Sequence, residues 1–277
     1  MTKDQVLGMM VGCIVGDAYG APFEFMDPSD IVVPDGFSYG GAHSVDIGEY
    51  TDDGAMTLAT AEAYKTAGKL DLAKVVGNFK SWKEYGTFGT RDYVFDIGTT
   101  TSRAIDKMTK RYPFAGKAEA NDSGNGSIMR IAPAIAANHE SLSNAVAESI
   151  ALSLMTHGNE DTIRYIAAFV PLVMRHGDVA GFDLCRWDVN RNDATGTIMH
   201  SFNVAKQASH YYGNDFEESL QFALKLGYDT DTNCAVTGML VGARNGLSGI
   251  PKKFTDRLMD YNYIVDLAES LYEIGKV

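Results

Sequence analysis

Apolar residues recur along most of this 277-residue chain at the three- and four-residue intervals of a helix. Val6, Met9, Met10 and Cys13 open the series, behind Thr2 and Gln5 at capping-box spacing. This first helix should run out between Gly16 and Gly20. Ala55, Ala59, Ala61 and Ala63, behind Thr51, predict a helix that packs closely against a neighbour. Leu72, Val75, Val76 and Phe79 form a stripe that Asp71 should cap. Val146, Ile150 and Leu154 share a face, as do Ile163, Ile166, Ala167, Val170 and Met174, where Pro171 predicts a kink. Phe216, Leu220, Ala223 and Leu224 follow Asp215 and its capping-box partner Glu218, and Ile264, Leu267, Ala268 and Leu271 close the chain. No fixed-period repeat, low-complexity run or linker divides the sequence. The pattern predicts an all-α, multi-helix fold in which residues 1–277 form one domain.

The interruptions matter as much as the helices. Residues 22–50 hold Pro22, Pro28, Pro34 and many glycines without strand alternation, and read as a long functional loop. Asp96-Ile97-Gly98-Thr99-Thr100-Thr101 reads as a turn feeding a helix through Arg103 and Ile105. Gly124-Asn125-Gly126-Ser127 is a second glycine turn, opening a helix shaped by Pro133, with Arg130 expected to pair with an acid. Near the far end, Asp229-Thr230-Asp231-Thr232 precedes the apolar positions Ala235, Met239 and Leu240. Thr232 is a good N-cap, which would leave both aspartates on the loop. Acids complementing a helix dipole account for one aspartate. They account less well for two, and not for the matching run Thr51-Asp52-Asp53 far upstream.

Composition narrows the function. Hydrophobic residues make up 45% and charged residues 22%, ordinary for a soluble globular chain. No apolar run is expected to reach bilayer length, and Met1-Thr2-Lys3-Asp4-Gln5 does not read as a signal peptide. Cys13, Cys185 and Cys234 are scattered and lack metal-finger spacing, which predicts reduced thiols and a cytoplasmic setting. A net charge of -12 without a basic stripe argues against extended nucleic-acid binding. Asp52, Asp53, Asp229, Asp231 and Glu24 all fall at loop-to-helix junctions. Converging in one site they would repel one another and protonate unless cations compensated them. Carboxylate and hydroxyl oxygens suit Mg²⁺ or Mn²⁺ better than Zn²⁺, and two acidic runs suit a pair of ions.

Taken together, these segments resemble the ADP-ribosylglycohydrolase family, and most of all its dinitrogenase reductase-activating glycohydrolase branch. The matching motifs are Gly16-Asp17-Ala18-Tyr19-Gly20 with Glu24, Thr51-Asp52-Asp53 with Met56, Asp96 to Thr100, Gly124 to Arg130, Thr156-His157, and Asp229 to Thr232 with Gly238 and Gly242. Six motifs in family order are specific where any one would be weak. The resemblance implies an all-α fold, two Mg²⁺ or Mn²⁺ ions, and hydrolysis of the bond joining ADP-ribose to an acceptor. By motif position, Thr51, Asp52, Asp53, Asp229, Asp231 and Thr232 are the implied metal ligands. Glu24 and Asp96 are the implied catalytic carboxylates, either of them the general base, with capping of the next helix as the alternative for Asp96. Gly98, Thr99, Gly124, Asn125, Gly126, Ser127 and His157 are the implied substrate contacts. The implied partner is an ADP-ribosylated protein, modified on arginine, or a small-molecule ADP-ribose conjugate. Serine and nucleobase conjugates, or a catalytically silent ADP-ribose-binding member of the fold, are the alternatives. Three positions depart from the family pattern: Gly54 after the Thr-Asp-Asp run, Tyr228 in place of a glycine, and Gly158-Asn159-Glu160 in place of a proline-containing stretch.

Overall fold

Thr2 starts the first helix as its spacing asks: its hydroxyl accepts from the Gln5 amide, and the Gln5 side chain accepts from the Thr2 amide. The computed structural model describes residues 1–119, 123–176 and 195–276; Cys185 lies outside them. Helix α1 (Lys3–Gly20) is buried from Val6 to Gly20 on every face, not only on the predicted stripe. This corrects one expectation. With its following turn, Lys3–Phe23 is long and apolar enough by composition to cross a bilayer, at a mean hydropathy of 1.4. Here 94% of its 18-residue apolar window is buried inside the protein, as for a central helix surrounded by others.

What surrounds α1 most closely is α10 (Thr230–Asn245), running antiparallel to it. Gly8, Gly12, Gly16 and Gly20 face Gly242, Gly238, Cys234 and Thr230 in turn. A Cβ on any of these four α1 glycines would lie 2.1–2.4 Å from the backbone oxygen opposite. The missing side chains therefore let two backbones touch, and the antiparallel sense brings the end of α1 to the start of α10.

Around this pair stand α2 (Asp52–Ala67), α3 (Leu72–Tyr85), α4 (Thr99–Lys107), the short α5 (Ala132–Ala136), α6 (Leu142–Leu154), α7 (Glu160–Met174), α8 (Ile198–Tyr212), α9 (Phe216–Leu224), α11 (Lys252–Thr255) and α12 (Tyr261–Ile274). Helices α8 and α9 pack on α10, α12 on α1, and α2 on α3 and α12, around one continuous apolar core. The predicted caps form: Asp71 accepts from the Ala73 and Lys74 amides, and Asp215 from the Glu218 amide. One sequence expectation changes. The helix after Gly124 is broken into a single turn, Ile128–Arg130, and α5, whose first turn contains Pro133. Among the described residues there is no β-strand, only isolated bridges at Gly40–Val45, Lys117–His157 and Gly124–Thr197.

Candidate metal centre and ligand cavity

The site is built where α1 ends and α2 and α10 begin. Asp17, fully buried near the end of α1, accepts from the Thr51 amide at 2.9 Å, the Thr51 hydroxyl at 2.7 Å and the Gly54 amide at 2.8 Å. It thus supplies, across space, the cap that the α2 N-terminus lacks locally. Gly54 belongs to this junction, because a Cβ there would stand 2.6 Å from the Tyr50 ring. With Asp17 doing the capping, the Asp52 and Asp53 side chains are released for other work.

The start of α10 departs from expectation. Thr232 is not its N-cap: the helix begins at Thr230, with Asp229 in the cap position and no side-chain capping bond. The Thr230 hydroxyl instead donates to the Gly20 carbonyl at 2.8 Å, which fixes the helix start against α1. Asp231 and Thr232 therefore lie in the first turn, facing the first turn of α2. The Thr232 hydroxyl is 3.5 Å from Asp53 Oδ2. Asn125 donates to Asp229 Oδ2 at 2.6 Å.

One carboxylate oxygen each from Asp52, Asp96 and Asp231 lie within 4.8 Å of one another. Asp53 Oδ1 and Asp231 Oδ1 are buried without any hydrogen-bond partner among the described residues. Burial, and then the neighbouring carboxylates, push Asp52, Asp53 and Asp231 well above the usual carboxylate range. The Thr51 hydroxyl has its proton committed to Asp17, so it presents lone pairs only. Orphaned oxygens, crowded like charges and an all-oxygen donor set fit a hard divalent cation.

Beside this cluster lies a second. His43 Nε2 is 2.7 Å from Glu24 Oε2 and 3.7 Å from Asp96 Oδ2, so Asp96 is shared between the two groups. Burial first, then Asp96 and Asp229, push the Glu24 carboxyl up to about 9. Burial also raises Asp96, against the pull of His43. The capping alternative for Asp96 is not realised: α4 has Gly98 at its cap position and no side-chain capping bond.

A cavity of about 470 Å³ joins these carboxylates to the glycine turns. Glu24, Asp52, Asp96, Asp229, Asp231 and Thr232 line it, as do Gly98, Thr99, Gly124, Asn125, Gly126 and His157. Ser127 does not. Its side chain is fully buried and accepts from the Ser153 hydroxyl at 3.0 Å, beneath the loop and not in the cavity. Arg130 corrects its expectation too: in place of an acid, it donates to the Gly126 and Leu152 carbonyls and the Thr156 hydroxyl.

The family model for ADP-ribosylglycohydrolase matches residues 1–276. The chain belongs to the ADP-ribosylglycohydrolase family. It is 30% identical to the ADP-ribosylarginine hydrolase Tri1 of Serratia proteamaculans (strain 568), covering 97% of this chain and 79% of that one. It is 29% identical to the ADP-ribosyl-[dinitrogen reductase] glycohydrolase of Rhodospirillum rubrum, over 92% of this chain and 90% of that one. Among solved structures it resembles an ADP-ribosylglycohydrolase-related protein complex at a TM-score of 0.83 and 25% identity, covering 99% and 98% of the two chains.

Two residues of this glycohydrolase escaped the sequence reading. Asp17, an acid between glycines at the end of an apolar helix, offers a usable signal. His43 gave none, being a single histidine in a long irregular loop. Tyr228 takes the left-handed backbone (φ 59°) that a glycine would hold freely, and so does Phe25 (φ 67°). The Phe25 amide donates to the Tyr228 carbonyl and the Tyr228 amide to the Met26 carbonyl, and both residues line the cavity.

Proposed function

We propose that this glycohydrolase removes ADP-ribose from arginine side chains of proteins, with one or two Mg²⁺ or Mn²⁺ ions held by Asp52, Asp53, Asp229, Asp231 and Asp96 and the hydroxyls of Thr51 and Thr232. The observation that carries this reading is the convergence of Asp52, Asp96 and Asp231 in the same cavity as the glycine loop. The acceptor reading is supported by the relatives named as an ADP-ribosylarginine hydrolase and an ADP-ribosyl-[dinitrogen reductase] glycohydrolase. Bound there, the cations would neutralise the carboxylates and fix the hydroxyls of the distal ribose.

The chain's own groups divide the remaining work. Gly124, Asn125 and Gly126 let backbone approach the diphosphate closely, with His157 beside them. Gly98 and Thr99 lie at the start of α4, whose N-terminal amides favour an anion. Asp96, grouped with Asp52 and Asp231, belongs to the cation-holding set. Glu24 is then the general base: cations on the neighbouring carboxylates would lower its raised carboxyl and leave it ionised to take the proton of the attacking water, with His43 2.7 Å from its Oε2. Much of the rate would come from holding sugar and water in register.

The test supplies arginine-, serine- and nucleobase-linked ADP-ribose with Mg²⁺, with Mn²⁺ and with chelator, and measures released ADP-ribose. Metal-dependent release from the arginine conjugate is expected. Release from the serine or nucleobase conjugate alone would overturn the acceptor, and equal release with chelator would overturn the cation requirement.

A further inference from the structure

Arg130 is a fully buried cation that bonds no carboxylate among the described residues. Its Nε donates to the Gly126 carbonyl at 3.1 Å, Nη1 and Nη2 reach the Leu152 carbonyl at 3.4 Å, and the Phe79 ring lies beneath it at 4.9 Å. Its shortest bond, at 2.6 Å, runs from Nη2 to the Thr156 hydroxyl oxygen. That oxygen is in turn 2.8 Å from His157 Nδ1. We infer that Arg130 and Thr156 form a relay fixing His157 as the neutral tautomer protonated on Nε2, which presents one N–H donor to an anionic ligand lying on the glycine loop.

The direction of the relay follows from proton counting. A guanidinium has donors and no acceptor, so Thr156 must accept from Arg130. The single hydroxyl proton of Thr156 then needs an acceptor of its own in a fully buried position, and among its bonding partners only His157 Nδ1 can accept. A proton on Nδ1 would strand the hydroxyl proton. The ring proton therefore sits on Nε2, which has no protein partner among the described residues. His157 lines the cavity and its ring packs against the loop: a Cβ added at Gly124 would stand 3.2 Å from Nε2, and one at Gly126 3.1 Å from the ring. Burial, then the charge of Arg130, holds the imidazole down to about 3, so it stays neutral at physiological pH. Because Arg130 also holds the Gly126 carbonyl, one guanidinium sets the loop and the imidazole together. Arg130 and Thr156 are positioning residues; they act through His157. The ligand part rests on the reading that the cavity takes the diphosphate of ADP-ribose.

Nitrogen-15 NMR of histidine-labelled protein reads the tautomer without any ligand, with His157→Gln assigning the signal. The unaltered protein is expected to show Nε2–H. Thr156→Val should lose that fixed signature and weaken ADP-ribose binding, measured by calorimetry, by about tenfold, the worth of one hydrogen bond. Thr156→Ser should restore both. An Nδ1–H signal in the unaltered protein, or an unchanged tautomer in Thr156→Val, would overturn the relay. A changed tautomer with unchanged ADP-ribose affinity would overturn its role in binding. Should Thr156→Val not fold, the unaltered spectrum and Thr156→Ala decide the same points. Failure of the unaltered protein to bind ADP-ribose would overturn the ligand part along with the reading beneath it, and the tautomer signal would still judge the relay.

Discussion

Asp231 carries a buried oxygen with no hydrogen-bond partner among the described residues, beside carboxylates that crowd it. A ligand that binds only the folded state stabilises it by mass action, about 2.7 kcal/mol at a hundredfold excess over Kd. Mg²⁺ or Mn²⁺ should therefore raise Tm by several degrees for a chain of this size, and chelator should reverse the rise. Asp231→Asn and Asp96→Asn should each shrink that shift, whereas Glu269→Gln, an exposed change, should leave it intact; an undiminished shift in Asp231→Asn would remove the residue from the site. Glu24 separates from this set by its bond to His43. Glu24→Gln should lower turnover by roughly 10²–10⁴-fold with ADP-ribose affinity held within a few fold, as single-turnover kinetics and calorimetry would show. Near-normal turnover would return the base to Asp96. At this scale, Asp52, Asp53, Asp229 and Asp231 were legible because paired acids with adjacent hydroxyls exceed what a helix start needs. Asp17 and His43 were not, because each acquires its task from a partner that only the fold supplies: Thr51 for one, Glu24 for the other.

Helix starts show why local rules misplace some elements. The N-cap rule selects Thr232, yet α10 begins earlier because Thr230 bonds to the end of α1, a contact no local window contains. The glycines of α1 and α10 were visible as letters, whereas their pairing required the antiparallel crossing. That crossing makes a contrast measurable by denaturant unfolding. Gly238→Ala puts a Cβ about 2.0 Å from the Gly12 carbonyl oxygen. It should destabilise by about 1–3 kcal/mol or more and blunt the cation-induced Tm rise, since α10 carries Asp231. Gly77→Ala, in the open middle of α3 with only the Lys110 side chain at 3.8 Å, should stabilise by about 0.5–1 kcal/mol. Equal effects from the two substitutions would refute the packing argument.

For the molecule as a whole, one buried imidazole outside the acidic centre makes a separable contribution to the response to acid. His139, stacked on Tyr272 at 4.5 Å, is pushed below the usual histidine range by burial. The unfolded chain then takes up a proton near pH 6.5 that the folded chain refuses. His139 therefore costs stability as pH falls below about 6.5, by up to roughly 1.4 kcal/mol per pH unit. Stability curves of the unaltered protein and His139→Gln should run parallel above pH 7 and converge or cross below it, with the histidine form falling faster. A histidine form that gained on the variant in acid would mean that Glu140 stabilises the imidazolium. The all-α architecture was open to sequence reading because helical periodicity repeats over most of the chain, whereas the depth of α1 was hidden by its glycines, which interrupt an apolar run without exposing it. The same helix pair carries a degeneracy. Moved by one turn, about 6 Å, α1 would set Gly8, Gly12 and Gly16 against Gly246, Gly242 and Gly238, again glycine on glycine. The stripe fixes how near the helices come and leaves their phase open. Stops at the two ends close that choice: Thr230 on Gly20, and Ser248 on Asp4. With both stops made, Asp231 and Thr232 face the first turn of α2, so a cation held there would favour this alignment over its neighbour.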